Sequence, residues 1–120
     1  MLPDTNILVD ALRGNKAAIR FLEEHTASLS ISVVTVTELY AGTRGKEEVL
    51  KAQKFIDTFN VYPVNEEIAQ RAGEYLNYWA KTHNFGIADA LIAATATFYG
   101  EQIATRNVKD FPMLDVLKPY

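Results

Sequence analysis

Residues 1–14 read MLPDTNILVDALRG. Leu2 and Pro3 run straight into Asp4, then two small polar residues, then the apolar run ILVDAL, which Gly14 closes. This is the pattern of a very short strand, Leu2–Asp4, that hands over at a carboxylate to a short helix. A carboxylate in that place is a helix N-cap or a functional acid. In open α/β sheets ligands sit beyond the carboxyl ends of the strands. What the rest of the chain brings beside Asp4 decides between the two.

Working outward, Asn15 is placed to cap a second helix, KAAIRFLEEH, with Ile19, Phe21 and Leu22 as its apolar members. ASLSISV alternates apolar and polar residues and reads as a strand. TVTELYAG is a short helix ended by Gly42, and Lys46–Asn60 is amphipathic, with Val49, Ala52, Ile56 and Phe59 spaced by three and four. VYPV is a brief strand or connector. Asn65 caps a long helix with Ile68, Ala72, Tyr75, Leu76 and Trp79 on one face. Gly86 breaks the chain, and Ile87–Tyr99 is apolar nearly all round, so it belongs at the centre. QIATRN is a strand and its exit, and VKDFPML is a turn. Short apolar strands alternating with helices point to an α/β domain with a parallel sheet between helix layers.

The chain has 120 residues, 48% of them hydrophobic and 22% charged, as expected for one globular domain with a core of its own. With no cysteine, disulfides, thiolate metal sites and cysteine nucleophiles are excluded, and a reducing cytoplasm is the compatible setting. The start carries Asp4 and Asp10 where a signal peptide would carry a basic segment, and no apolar run is long enough to span a membrane. A net charge of −3 does not suggest nucleic-acid binding, so any such contact must come from local patches.

On this map Asp4 ends the first strand, and Glu38 lies in the helix after the second. Asp89 sits in the first turn of the apolar helix, and Asp110 follows the last strand, three residues after Asn107. Asp4, Glu38 and Asp89 stand among apolar neighbours with no lysine or arginine close in sequence. Charged groups are rarely buried unless paired or bound to metal. If these acids converge beyond one sheet edge they need a cation, and hard oxygen donors suit Mg²⁺ or Mn²⁺. Each acid also has a plain structural role open to it. Asp4 can cap the first helix. Thr35-Val-Thr-Glu38 has the form of a capping box. Asp89 can complement a helix dipole, and Asp110 can cap a turn. Those roles predict scattered acids rather than acids on one side of one sheet.

DTNILVDALRG, ISVVTVTELYAG, FGIADALIAATA and IATRNVKDF, in that order, together resemble the PIN-domain ribonucleases and, within them, the VapC toxins of toxin–antitoxin pairs. The resemblance spans almost the whole chain. It implies a single PIN-like domain over residues 1–120, with three layers and a small central parallel sheet flanked by helices. It also implies an endoribonuclease dependent on Mg²⁺ or Mn²⁺, in which a metal-activated water attacks the phosphodiester in line and leaves a 5′-phosphate and a 3′-hydroxyl. It carries over Asp4, Glu38 and Asp89 as metal-binding acids. At the fourth position it leaves Asn107 and Asp110 as alternatives, because Asn107 stands where the family's first acidic option lies. Thr5, Asn6 and Thr105 match positions that support the acids. Pro3 departs from the family's longer apolar first strand and removes a backbone donor inside a sheet.

Arg106 and Lys109 flank the fourth site and are the first candidates for RNA phosphate contacts; Arg13, Arg44 and Lys46 lie in loops that could rim the same cleft. Lys51 and Lys54 read as an exposed helix face. The resemblance further implies structured RNA such as tRNA as substrate, a VapB-like antitoxin whose C-terminal segment covers the groove, and a homodimer. Among the aromatic residues, Tyr78 is the one expected off the core face. Two other readings stand beside the nuclease: a catalytically inactive PIN-fold binding module, and a phosphoacceptor receiver domain built on Asp57, which needs Asp57 at the end of a buried strand.

Overall fold

The computed structural model describes residues 1–120. The elements in chain order are β1 (Leu2–Pro3), α1 (Thr5–Leu12), α2 (Lys16–Glu24), β2 (Ser30–Ser32), α3 (Val33–Ala41), α4 (Gly45–Ile56), β3 (Asn60–Tyr62), α5 (Glu66–Trp79), α6 (Ile87–Tyr99), β4 (Ile103–Ala104) and β5 (Val116–Leu117). Short 3-10 turns cover Thr26–Ser28 and Val108–Asp110. The α/β arrangement expected from the alternation of elements is present.

All strand pairs are parallel. β1, β4 and β5 form one ladder and β2 with β3 a second. The ladders lie edge to edge, joined where the Ser30 N–H donates to the Met1 carbonyl at 3.0 Å, so β1 is the middle strand of the whole. Pro3 explains why this seam is thin. The Leu2 and Asp4 N–H groups both donate to the β4 side, to Gln102 O and Ala104 O at 2.8 Å. Alternate residues of a parallel strand turn to opposite neighbours, so the missing Pro3 donor falls on the β2 side. The proline is accommodated by leaving one ladder incomplete.

The sheet separates two apolar layers, and side chains alternate between them. Leu2, Ile103 and Val116, in register across three strands, face a core with Ile68 and Ala72 of α5 and the buried run of α6. Ala104 and Leu117 face the other core, with Ile7 and Leu8 of α1, Phe21 and Leu22 of α2, Ile31, Leu39 and Ile56. As its composition requires, α6 is central: Ala90 and Ile92–Ala96 are buried.

Several boundaries differ from the sequence expectation. The strand expected over ASLSISV is only Ser30–Ser32, and it is buried on both faces. Its serines are tolerated because their hydroxyls are used: Ser32 Oγ accepts from Val34 N–H and caps α3, and Ser30 Oγ accepts from Asn60 Nδ2. That cap starts α3 two residues before Thr35. α4 ends at Ile56 rather than Asn60, because Thr58 and Phe59 fold into a turn and Asn60 already belongs to β3. β5 was not expected; two residues are too few for a periodic signal. Asp57 is exposed at the end of α4 and follows no strand, which removes the receiver-domain reading.

Candidate active site

The residues singled out in sequence reach the carboxyl edge of the sheet from four directions. Asp4 leaves the end of β1 and caps α1, with Oδ1 accepting from Thr5 N–H at 2.8 Å. Its Oδ2 accepts from Thr105 Oγ1 at 3.0 Å, at the end of neighbouring β4. The Asn107 N–H donates to the same Thr105 oxygen at 3.0 Å, so the β4 exit is folded around the hydroxyl that holds Asp4. Asp4 therefore caps α1 and at the same time stands at the carboxyl edge of the sheet, bonded to β4.

Glu38 projects from the middle of α3. Because Ser32 is the N-cap, Thr35 lies inside the helix and Glu38 caps nothing. Its carboxylate accepts from Thr5 Oγ1 at 2.5 Å, and Thr5 Oγ1 lies 3.4 Å from Thr35 Oγ1. Asp89, in the first turn of α6, accepts from the Gly86 N–H at 3.2 Å. Asp110 closes the 3-10 turn after β4 and is half-buried, whereas the Asn107 side chain is exposed. Asn6 contributes a buried Oδ1 with no hydrogen-bond partner.

These carboxylates sense one another. Burial raises the Asp4 carboxyl to about 6; its hydrogen bonds from Thr105 and Thr5 oppose this, and the charges of Asp89 and Glu38 push it up further. Asp89 is raised too, first by burial, against the Gly86 N–H, and then by Asp110 and Glu38. Asp110 thus lies within electrostatic reach of the group. None of the four has an ion-pair partner; the chain's two salt bridges are Met1–Glu101 and Arg106–Asp10. The set does not form a closed cage: no three acidic or histidine side chains are close enough to hold one ion together. Glu38 is turned onto Thr5, and Asp89 onto Gly86.

The basic residues divide. Arg13 and Arg44 line a cleft of about 430 Å³ between α1, α3 and α4, with Glu38 on its wall. Lys46 and Lys109 are exposed, and Lys46 is not part of the cleft lining. Arg106 is not a free cation, because its Nε pairs with Asp10 Oδ2 at 2.9 Å. Lys51 corrects the expectation of an idle helix face: it lines the cleft, and its ammonium donates to Leu12 O at 3.1 Å. Sequence reading also passed over Asp10 and Tyr120, whose hydroxyl donates to Asp10 Oδ2 at 2.6 Å across 110 positions. No local pattern signals such a pair.

A family model described as "PIN domain" matches residues 1–116. The chain is 40% identical over 122 residues to Ribonuclease VapC10 of Mycobacterium tuberculosis, covering 99% of this chain and 91% of that one. It is 36% identical to Ribonuclease VapC19 of the same organism, over 98% of this chain and 97% of the relative. Among solved structures, a toxin–antitoxin complex from Klebsiella pneumoniae superposes with a TM-score of 0.86 at 31% identity, over 99% of this chain and 97% of that one. Fold and these likenesses agree: the chain belongs to the PIN domain family, among its VapC-type members.

Proposed function

We propose that this protein is an endoribonuclease and the toxin of a toxin–antitoxin pair, hydrolysing RNA at the Asp4–Glu38–Asp89–Asp110 cluster. The observation that carries the reading is a group of carboxylates from four separate elements, at one edge of the sheet, with no cation paired to any of them. Solvent-exposed structural acids have no reason to gather there, and like charges held together raise one another's pKa.

The donor set suits a hard divalent cation, Mg²⁺ or Mn²⁺: all oxygen, without sulfur or imidazole, and in need of positive charge. Asp4 and Asp89 are the residues that would hold it, with Glu38 and Asp110 around them. Mg²⁺ commonly keeps several waters and takes only one or two carboxylates directly, so a set in which no three acids meet still fits. When bound, such an ion supplies an activated water and neutralises charge on the phosphoryl oxygens. The chain's own part is preparation. Thr105 and the Thr5 N–H hold the Asp4 carboxylate in one orientation. Thr5 Oγ1 holds Glu38 across the β1–β2 seam. Arg13, Arg44 and Lys51 give the cleft beside Glu38 positive charge for flanking phosphates.

A VapB-like antitoxin is the partner the fold is suited to. A second, largely apolar trough of about 650 Å³ runs between α1–α2 and α4, lined by Leu12, Ile19, Leu22, Leu29, Phe55 and Phe59 among others. It shares Leu12 and Lys51 with the cleft, so an extended segment seated in it leads towards Glu38. The exposed rings of Tyr78, Phe98 and Tyr99 offer apolar surface for a second copy of the chain. No helix is long and apolar enough to cross a membrane, and a cytoplasmic setting agrees with the absence of cysteine.

The test is cleavage of total small RNA by antitoxin-free protein with Mg²⁺ or Mn²⁺, beside an EDTA control and Asp89→Asn. Discrete fragments that vanish in both controls support the reading. The local pairing of Glu38 and Asp89 favours a second reading, a PIN fold kept for binding alone. Folded protein that cleaves nothing with either metal would select it.

A further inference from the structure

Arg106 was expected at an RNA phosphate, and the structure gives it a partner of its own. Its Nε pairs with Asp10 Oδ2 at 2.9 Å, while the arginine side chain remains 45% exposed and Asp10 only 18%. The contact is an ion pair, which keeps the arginine's charge beside α1. Asp10 Oδ2 is itself held by the Tyr120 hydroxyl at 2.6 Å, so it cannot follow the arginine out to solvent. The chain positions on either side of Arg106 belong to the site: Thr105 holds Asp4, and the Asn107 N–H holds Thr105. Neither terminal nitrogen of Arg106 has a hydrogen-bond partner within the protein, and no ion pair other than the one to Asp10 is present. A flexible arginine beside four uncompensated carboxylates would be drawn to them. Here it is anchored on α1.

We propose that Asp10 is a positioning residue: its ion pair stations Arg106 next to Thr105, leaving the two terminal nitrogens free to take an RNA phosphate. This rests on the nuclease reading and adds to it the residue that stations the phosphate ligand. Tyr120 fastens the C-terminal segment to Asp10 and steadies its oxygen, but the ion pair itself does not depend on that hydroxyl.

The test is RNA binding without turnover. The Asp89→Asn protein serves as parent, and the probe is fluorescently labelled bulk tRNA, followed by anisotropy over a range of salt. Arg106→Ala should weaken binding by about tenfold, the scale of one charge-assisted contact, and lower the slope of log affinity against log salt by about 0.7–1. Asp10→Asn should weaken it by about three- to tenfold in the parent and by less than twofold in the Arg106→Ala background, because a residue acting through Arg106 has nothing left to act on. Tyr120→Phe, which keeps the ion pair, should stay within about twofold even if its melting temperature falls. The proposal is overturned if Asp10→Asn weakens binding equally in both backgrounds, if it leaves binding unchanged, or if Tyr120→Phe matches it. A parent that binds no tRNA overturns both this proposal and the nuclease reading, whereas binding insensitive to Asp10 overturns this proposal alone.

Discussion

Asp4→Asn should make the metal-free protein more stable at neutral pH while removing its activity. Asp4 is 7% exposed and its carboxyl is raised from 3.8 to about 6. Between those values the folded state holds a proton that the unfolded chain has released, so stability falls as pH rises through the window. The drop is complete once pH exceeds the folded value. A shift of roughly two units corresponds to about 3 kcal/mol at 1.36 kcal/mol per unit. Asparagine carries no charge to bury, so the variant escapes this loss. It has its own cost: the Thr105 hydroxyl must turn from donating to accepting while it still accepts from Asn107 N–H. A disturbed buried hydrogen bond is worth about 1 kcal/mol. The net expectation is a gain of about 1–2 kcal/mol at pH 7.5 in EDTA, shrinking to nothing or reversing near pH 4. Urea unfolding of both proteins from pH 4 to 8 measures it. A variant less stable than the parent at pH 7.5, or two proteins with the same pH slope, would show that the Asp4 carboxylate is not under the strain inferred from its burial.

Other outcomes follow from the same geometry. Mg²⁺ or Mn²⁺ in millimolar excess should raise the melting temperature of the parent by mass action, and the rise should be lost in Asp4→Asn and Asp89→Asn; differential scanning fluorimetry with an EDTA reversal checks this. Thr105→Val takes away the hydroxyl that orients Asp4 and should lower metal affinity or cleavage by about 10–100-fold, as loss of a ligand's orienting partner does elsewhere; calorimetric Mn²⁺ titration reads it. Ile92→Ala, at a fully buried position in α6, should cost about 2–5 kcal/mol in denaturant unfolding, with cleavage retained in the fraction that stays folded.

What the amino-acid order disclosed, and what it hid, follows the range of the interactions. The helix of Ile87–Tyr99 was legible because an apolar circumference has one comfortable place, the centre. The Asn15 and Asn65 caps were legible because each bonds an N–H three residues on, at Ala18 and Ile68. Asp4 was legible as an acid at a strand end, although its grip by Thr105 spans 101 positions. The start of α3 was misjudged because Ser32 and Thr35 are both good caps, and only the strand before them decides between the two. The pairing of Arg106, the reach of Lys51 to Leu12 O and the whole of β5 depend on elements that meet only after folding. No local periodicity carries them.

The proline in β1 has a mechanical consequence. Asp4, Asp89 and Asp110 are carried by the β1–β4–β5 ladder and the helix packed on it, and Glu38 by the helix that continues β2. The boundary between these bodies is where the middle strand lacks a donor. A sheet with a full complement of bonds there would tie the strands that carry Asp4 and Glu38 together more completely. With Pro3 the two halves are joined along an imperfect weld, one donor short on the β2 side. Thr5, which touches both Asp4 and Glu38, is the rivet across that line. The gap in the hydrogen bonding thus falls between the acids of one ladder and Glu38 of the other, and the apolar layer of Ile31, Leu39, Ala104 and Leu117 is what spans it.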